Sequence, residues 1–179
     1  MKRYIALLRG INVSGKNKIS MAELKIGFVE LGYIGVTTYL NSGNVIFSSD
    51  ADDTLALTSA IKTMIKSKFE LDIPIFIILQ KELEDILSNA PDWWGDDNKE
   101  IYDNLIFMFP SLSYDEFYDN VGKPKEEYEK VHSYKNAIFW SFSRKDYQKT
   151  NWWSKTASSN ISDMITIRTA NTVRKIVGI

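Results

Sequence analysis

The sequence predicts an α+β fold in which one order of elements, βαββαβ, occurs twice. Three observations carry this. Short β-branched and aromatic runs alternate with longer stretches whose apolar residues recur every three or four positions. Two pairs of strand-like runs are separated only by the turn residues "NSG" and "KN". The whole order then returns after about 100 residues, without residue-by-residue similarity between the halves.

In chain order, "KRYIALL" (2–8) reads as a buried strand ending at Arg9-Gly10. A glycine-containing loop follows, and Ser20 with Glu23 has the spacing of a capping box. Met21, Leu24, Phe28 and Leu31 recur at helical spacing until Gly32. "VTTYL" (36–40) and "NVIFSS" (44–49) form a hairpin about "NSG". Leu57, Ile61, Met64, Ile65 and Phe69 mark a second helix, and "IPIFIIL" (73–79) a fourth strand, with Pro74 where a missing N–H is tolerated.

The second half runs in the same way: strand "NLIFMF" (104–109), then a helix bearing Tyr114, Phe117, Tyr118 and Val121. The hairpin "EYEKVHSY" (127–134) and "AIFWSFS" (137–143) comes next, then a helix over 146–158, strand "MITIRT" (164–169) and a terminal helix from about Asn171. The expected division is a unit at 1–80, a connecting helix and polar loop at 81–103, and a unit at 104–179. Each is expected to be ferredoxin-like, with an antiparallel sheet covered on one face by its helices.

Composition sets the bounds. At 179 residues, 44% hydrophobic and 25% charged, the chain can bury a substantial core. Cysteine is absent, which removes disulfides, thiolate nucleophiles and cysteine-ligated metals. No apolar run approaches the roughly 20 residues needed to span a bilayer. Arg9 breaks the first apolar run before it could serve as a signal peptide, so a cytoplasmic protein is expected.

Net charge is −1, unevenly spread. Residues 1–50 carry 6 Lys+Arg against 3 Asp+Glu, residues 80–130 carry 5 against 14, and residues 131–179 carry 8 against 2. Such blocks are ordinary solvated surface, or else the basic ends serve an anionic ligand.

"LRGINVSGKNKISM", "TYLNSGNVIF" and "TIRTANTVRKI" resemble the bacterial "domain of unknown function 1697" family from first strand to last helix. That family shows an LRGINVGGKNK-type start, a TYIQSGNVVF-type hairpin and a TTRNWNTV-type end. The resemblance implies a paired ferredoxin-like α+β fold and no particular activity. Ser14 stands where the family has glycine, and Thr169-Ala170 where it has Asn-Trp.

Gly10, Gly15 and Lys16 have the outline of a nucleotide-hydrolysing phosphate loop, but the chemistry does not fit. Asn17 occupies the position of the Mg²⁺-binding hydroxyl, and the capping box starts the helix a turn too late. No strand ends in the acid that would hold the metal from the other side.

The loop nevertheless has a topological claim. In βαββαβ the first and second strands run the same way, so the 9–19 loop and the 41–44 turn share a sheet edge. Arg9, Asn12, Lys16, Asn17, Ser42 and Asn44 then gather there, with Arg168 a further candidate from the second half. A guanidinium, an ammonium, amides and glycine backbone suit a small anionic or phosphate-bearing ligand, bound with or without turnover. The competing reading is that the asparagines satisfy turn backbone.

Other chemistry is sparse. The single His132 cannot build a zinc site without cysteine. The carboxylates at 50–53 and 96–97 lack calcium-loop spacing, and Ser42 has no partner base. No metal or catalytic residue is assigned, and cofactor and oligomeric state are left open. Of Trp152 and Trp153, about 100° apart on a helix, only one can face a core squarely. Nucleic-acid binding through basic ends and aromatics is disfavoured by a pI of 5.9 and the lack of a continuous cationic stripe. A scaffolding module without ligand is the other alternative.

Overall fold

The computed structural model describes residues 1–179. Contacts group them into two compact units, Met1–Asp85 with Lys175–Ile179, and Ile86–Arg174. This differs in three places from a division at 80 and 103. Residues 81–85 group with the first unit, residues 86–103 with the second, and the last five residues with the first. Gln80 Nε2 donates to Val177 O (2.6 Å) and Arg3 Nη2 to Ile179 O (3.3 Å), which ties those five residues in.

The first unit has β1 (Lys2–Leu8), α1 (Met21–Glu30), β2 (Ile34–Tyr39), β3 (Asn44–Ser49), α2 (Thr54–Phe69), β4 (Ile75–Leu79) and the start of α3 (Gln80–Ser88). The sheet order is β2-β3-β1-β4, every pair antiparallel. Strand β1 is central, with Tyr4 opposite Phe47 and Leu79. Alternation puts Tyr4, Ala6 and Leu8 on one face with Val45 and Phe47. Against them pack Leu24 and Phe28 of α1 and Leu57, Ile61, Met64 and Ile65 of α2. Phe28 meets Phe47 edge-on at 5.3 Å.

Local signals set the helix ends. Ser20 Oγ accepts from Glu23 N (3.3 Å) to start α1. Asp53 Oδ1 accepts from Leu55 N (2.8 Å) to start α2, which absorbs one acid of the 50–53 group as a cap.

The second unit repeats the order: β5 (Ile101–Met108), α4 (Tyr114–Val121), β6 (Glu129–Tyr134), β7 (Ala137–Ser143), α5 (Trp152–Ser158), β8 (Ile165–Thr169), then α6 (Ala170–Val177), whose last residues belong to the first unit. Its sheet order is β6-β7-β5-β8, again antiparallel throughout. Ile106, Ile138, Trp140 and Ile165 of the sheet pack with Phe117, Val121 and Trp152 of the helices. The expected double α+β architecture is therefore present.

Three expectations need correction. Residues 146–158 are not one helix. A 3-10 turn spans Arg144–Lys149, Thr150 is extended, and α5 begins at Trp152. The Thr150 side chain causes the break, because its hydroxyl donates to Tyr147 O (2.7 Å) and accepts from Trp153 N (3.3 Å). Strand β5 starts at Ile101 instead of Asn104, because β7 is long enough to pair Ile101 with Ser143. The reciprocal capping box is at Ser113 and Glu116. Of the tryptophan pair, Trp152 is fully buried, while Trp153 is 42% exposed against Tyr147, Phe142 and Tyr102.

Candidate functional site

Strands β1 and β2 both run antiparallel to β3, and this brings the 9–19 loop onto the 41–44 turn. Leu8 N donates to Gly43 O (2.8 Å), and Asn12 Nδ2 donates to Asn41 O (2.9 Å). Ile11 and Ile19 pin the two ends of the loop into the core. Gly43 sits at φ +87°, where a Cβ would stand 2.7 Å from Leu8 Cβ and 2.9 Å from Ile11 Cδ1. Only glycine fits that crossing.

The expected residues divide into two groups. Asn12 bonds the loop to the turn, Asn17 braces the loop and Asn44 braces the turn. Asn12 Nδ2 also donates to Ile19 O (3.0 Å), and its Oδ1 accepts from Ile19 N (2.9 Å). Asn17 Nδ2 donates to Gly10 O (2.9 Å). Buried Asn44 donates to Tyr39 O (2.8 Å) and Ser42 Oγ (3.0 Å). Lys16 and Ser42 instead reach solvent, and half-buried Arg9 uses its backbone N–H on Pro74 O (2.9 Å).

Arg168 lies in the second unit on β8. It is buried and donates to Thr166 Oγ1 and Ile167 O (both 2.9 Å), so its guanidinium is engaged with its own strand.

The backbone of the loop is unusual. Gly10, Asn12, Ser14, Gly15 and Asn17 all have φ between +47° and +76°. For the three that are not glycine this conformation costs about 1 kcal/mol or more each. The asparagine bonds and the Asn12 N to Asn17 O bond (3.1 Å) hold it in place. At the tip, the amides of Ser14 and Gly15 meet no protein acceptor, and the exposed Lys16 follows them directly in sequence. The helix start of a nucleotide-hydrolysing loop is absent here, since α1 begins at Met21.

A second concavity, which the periodicity of the sequence did not indicate, lies in the second unit. It is a cleft of ≈ 530 Å³ along the edge of β5, lined by Asp96, Asp97, Lys99, Asp103, Arg144 and Thr169 among others. An acid inside the apolar strand "IYDNLIFM" was the one sign of it available in the sequence.

The two sheets, their order and the clasped loop define a double α+β protein of the type the loop motifs suggested. The chain belongs to the family described as protein of unknown function (DUF1697), whose model matches residues 1–139. That match ends before the C-terminal "TIRTANTVRKI". The chain is also similar along nearly its whole length to the conserved bacterial protein SP0830 from Streptococcus pneumoniae. The two are 32% identical, with a TM-score of 0.85, over 99% of this chain and 97% of that one. No curated protein matches. No helix is long and apolar enough to cross a membrane.

Proposed function

We propose that the protein binds a small anionic ligand, such as a phosphate-bearing metabolite, at the edge formed by the 9–19 loop and the 41–44 turn. One observation carries the reading. A run of left-handed backbone is kept in place by two asparagine side chains, Asn12 and Asn17, and its tip presents the amides of Ser14 and Gly15 just before Lys16. Strained backbone that the surrounding bonds over-determine is a feature of binding sites, because the donors are positioned before the ligand arrives. In this reading Asn12, Asn17 and Asn44 are positioning residues. Lys16 and the tip amides contact the anion, with Ser42 and Arg9 at its margin. One ammonium and two amides suffice for one phosphate group, whereas a nucleic-acid groove demands a long cationic array.

The test is a thermal-shift series with inorganic phosphate and a panel of phosphorylated metabolites on wild type and Lys16→Ala. Wild type should be stabilised by at least one compound, and Lys16→Ala should lose that response while melting within about 1 kcal/mol of wild type without ligand. Equal responses in both proteins, or none from any compound, would refute the assignment.

A further inference from the structure

One end of the second sheet carries a group of aromatic rings that the core does not close over. Tyr102 of β5 lies directly opposite Phe142 of β7, so their side chains share a sheet face. That is the face packed by Phe117 and Trp152 of the helices, and Tyr102 borders this core. The 3-10 turn at Arg144–Lys149 adds Tyr147, and the first turn of α5 adds Trp153. These four rings and Arg144 line a hollow of ≈ 220 Å³, all within the second unit.

The hollow has aromatic surface to spare. Trp153 is 42% exposed and meets Tyr102, Phe142 and Tyr147 at interplanar angles of 55°, 73° and 71°. None of these contacts is a parallel stack, so the exposed indole remains open to a further ring.

Arg144 supplies the only charge among the lining side chains. Its guanidinium lies over the Tyr102 ring, 4.4 Å from the centroid, and makes no hydrogen bond or ion pair within the protein. Stacking holds the plane of the fork and leaves its N–H edge for a planar acceptor. Charge balance limits what that acceptor can carry. Asp96 and Asp97 line the neighbouring cleft with Arg144, and Asp146 is already paired with Lys149 (2.9 Å). One guanidinium with carboxylates nearby suits a single negative charge and disfavours a phosphate dianion. Size sets the other limit. A cavity of about 150 Å³ holds benzene, so ≈ 220 Å³ takes one ring with a small substituent.

We infer that this hollow binds a small aromatic monocarboxylate, with its ring against Trp153 and Tyr147 and its carboxylate on the Arg144 fork. The loop site contributes nothing to it, so the two assignments stand or fall separately.

Four probes separate the contacts: benzoate, benzamide (same ring, no charge), cyclohexanecarboxylate (same charge, no aromatic ring) and tetramethylammonium (a cation suited to an aromatic cage). Each is titrated into the full chain by calorimetry and by tryptophan fluorescence. Benzoate should bind saturably at one site per chain, and the other three about tenfold or more weakly. Arg144 and Trp153 are both open to solvent, so Arg144→Gln and Trp153→Leu are compatible with the fold, which thermal melts check. Arg144→Gln should abolish the preference for benzoate over benzamide. Arg144→Lys, which keeps the charge without the fork, should retain only part of it. Trp153→Leu should abolish the preference over cyclohexanecarboxylate. Absence of saturable benzoate binding, benzamide binding as tightly, tetramethylammonium binding more tightly, or Arg144→Gln binding benzoate like wild type would each overturn the inference. Should a variant fail to fold, the ranking of the four probes on wild type decides alone.

Discussion

Replacing Asn12 by alanine tests whether this residue holds the loop or contacts the ligand. The wild-type side chain makes three hydrogen bonds, two to the backbone of buried-edge residue Ile19 and one to Asn41 O at the surface. At about 1 kcal/mol for each shielded bond and about half that for the exposed one, their loss amounts to roughly 2.5 kcal/mol. Alanine must also adopt φ +54°, where asparagine is better tolerated, which adds about 1 kcal/mol. The expected loss is therefore about 3–4 kcal/mol, a large share of the 5–15 kcal/mol typical of a domain. Asn12→Gly relieves the backbone but not the bonds, and should lose about 1 kcal/mol less. All five tryptophans lie between residues 93 and 153, so their fluorescence reports the second unit. Urea unfolding is accordingly followed by far-UV circular dichroism, with hydrogen exchange at the Ile19 amide as a local probe. If Asn12→Ala were within about 0.5 kcal/mol of wild type, or Ile19 kept its protection, the positioning role of Asn12 would be refuted.

Three further outcomes are expected. Gly43→Ala forces a Cβ to 2.7 Å from Leu8 Cβ at φ +87°, and should destabilise by about 2–4 kcal/mol in the same urea assay; a neutral effect would mean that the loop and turn are not tightly apposed. Buried Glu129 accepts from Lys125 N (2.9 Å), Asn151 N (2.7 Å), Trp140 Nε1 (2.9 Å) and Trp152 N (3.4 Å). Glu129→Ala should cost about 3–5 kcal/mol by tryptophan fluorescence, through the donors left unpaired, and a loss under 1 kcal/mol would contradict that network. Hydrogen bonds from the Ser113 N–H and then its hydroxyl hold the Glu116 carboxyl below the usual carboxylate range. The associated stability is present above the ordinary glutamate value and is lost as pH falls through the lower folded value. Ser113→Ala should cost about 1 kcal/mol of helix capping and move the Glu116 titration, read by NMR, part of the way back up; an unmoved titration would contradict the cap.

Much of the fold was legible because its determinants are local. The i, i+3 and i+4 recurrence of Leu57, Ile61, Met64 and Ile65, the alternation in "NVIFSS" and the turn residues between paired strands all act within a few positions of one another. Element order then constrained topology. Two strands that both oppose β3 must run the same way, and that places the 9–19 loop on the 41–44 turn. The helix expected over 146–158 failed for a similarly local but weaker cause, a threonine hydroxyl competing for helical backbone groups at Thr150.

What the sequence by itself could not determine is where each polar side chain finds its partner. The amide of Asn12 bonds residues 7 and 29 positions away, and as a letter in a loop it reads equally as ligand contact or clasp. Glu129 is one of three acids within a few positions in the sequence, yet it collects four N–H groups from three separate places in the second unit. Asp103 stands within an apolar strand, and only the fold brings Gly95 N to one of its two oxygens and leaves the other without a partner. Periodicity is a property of neighbouring residues, so the sequence determined the elements and their order. Polar satisfaction is a property of groups brought together by the register of distant strands, and only the tertiary structure decided it.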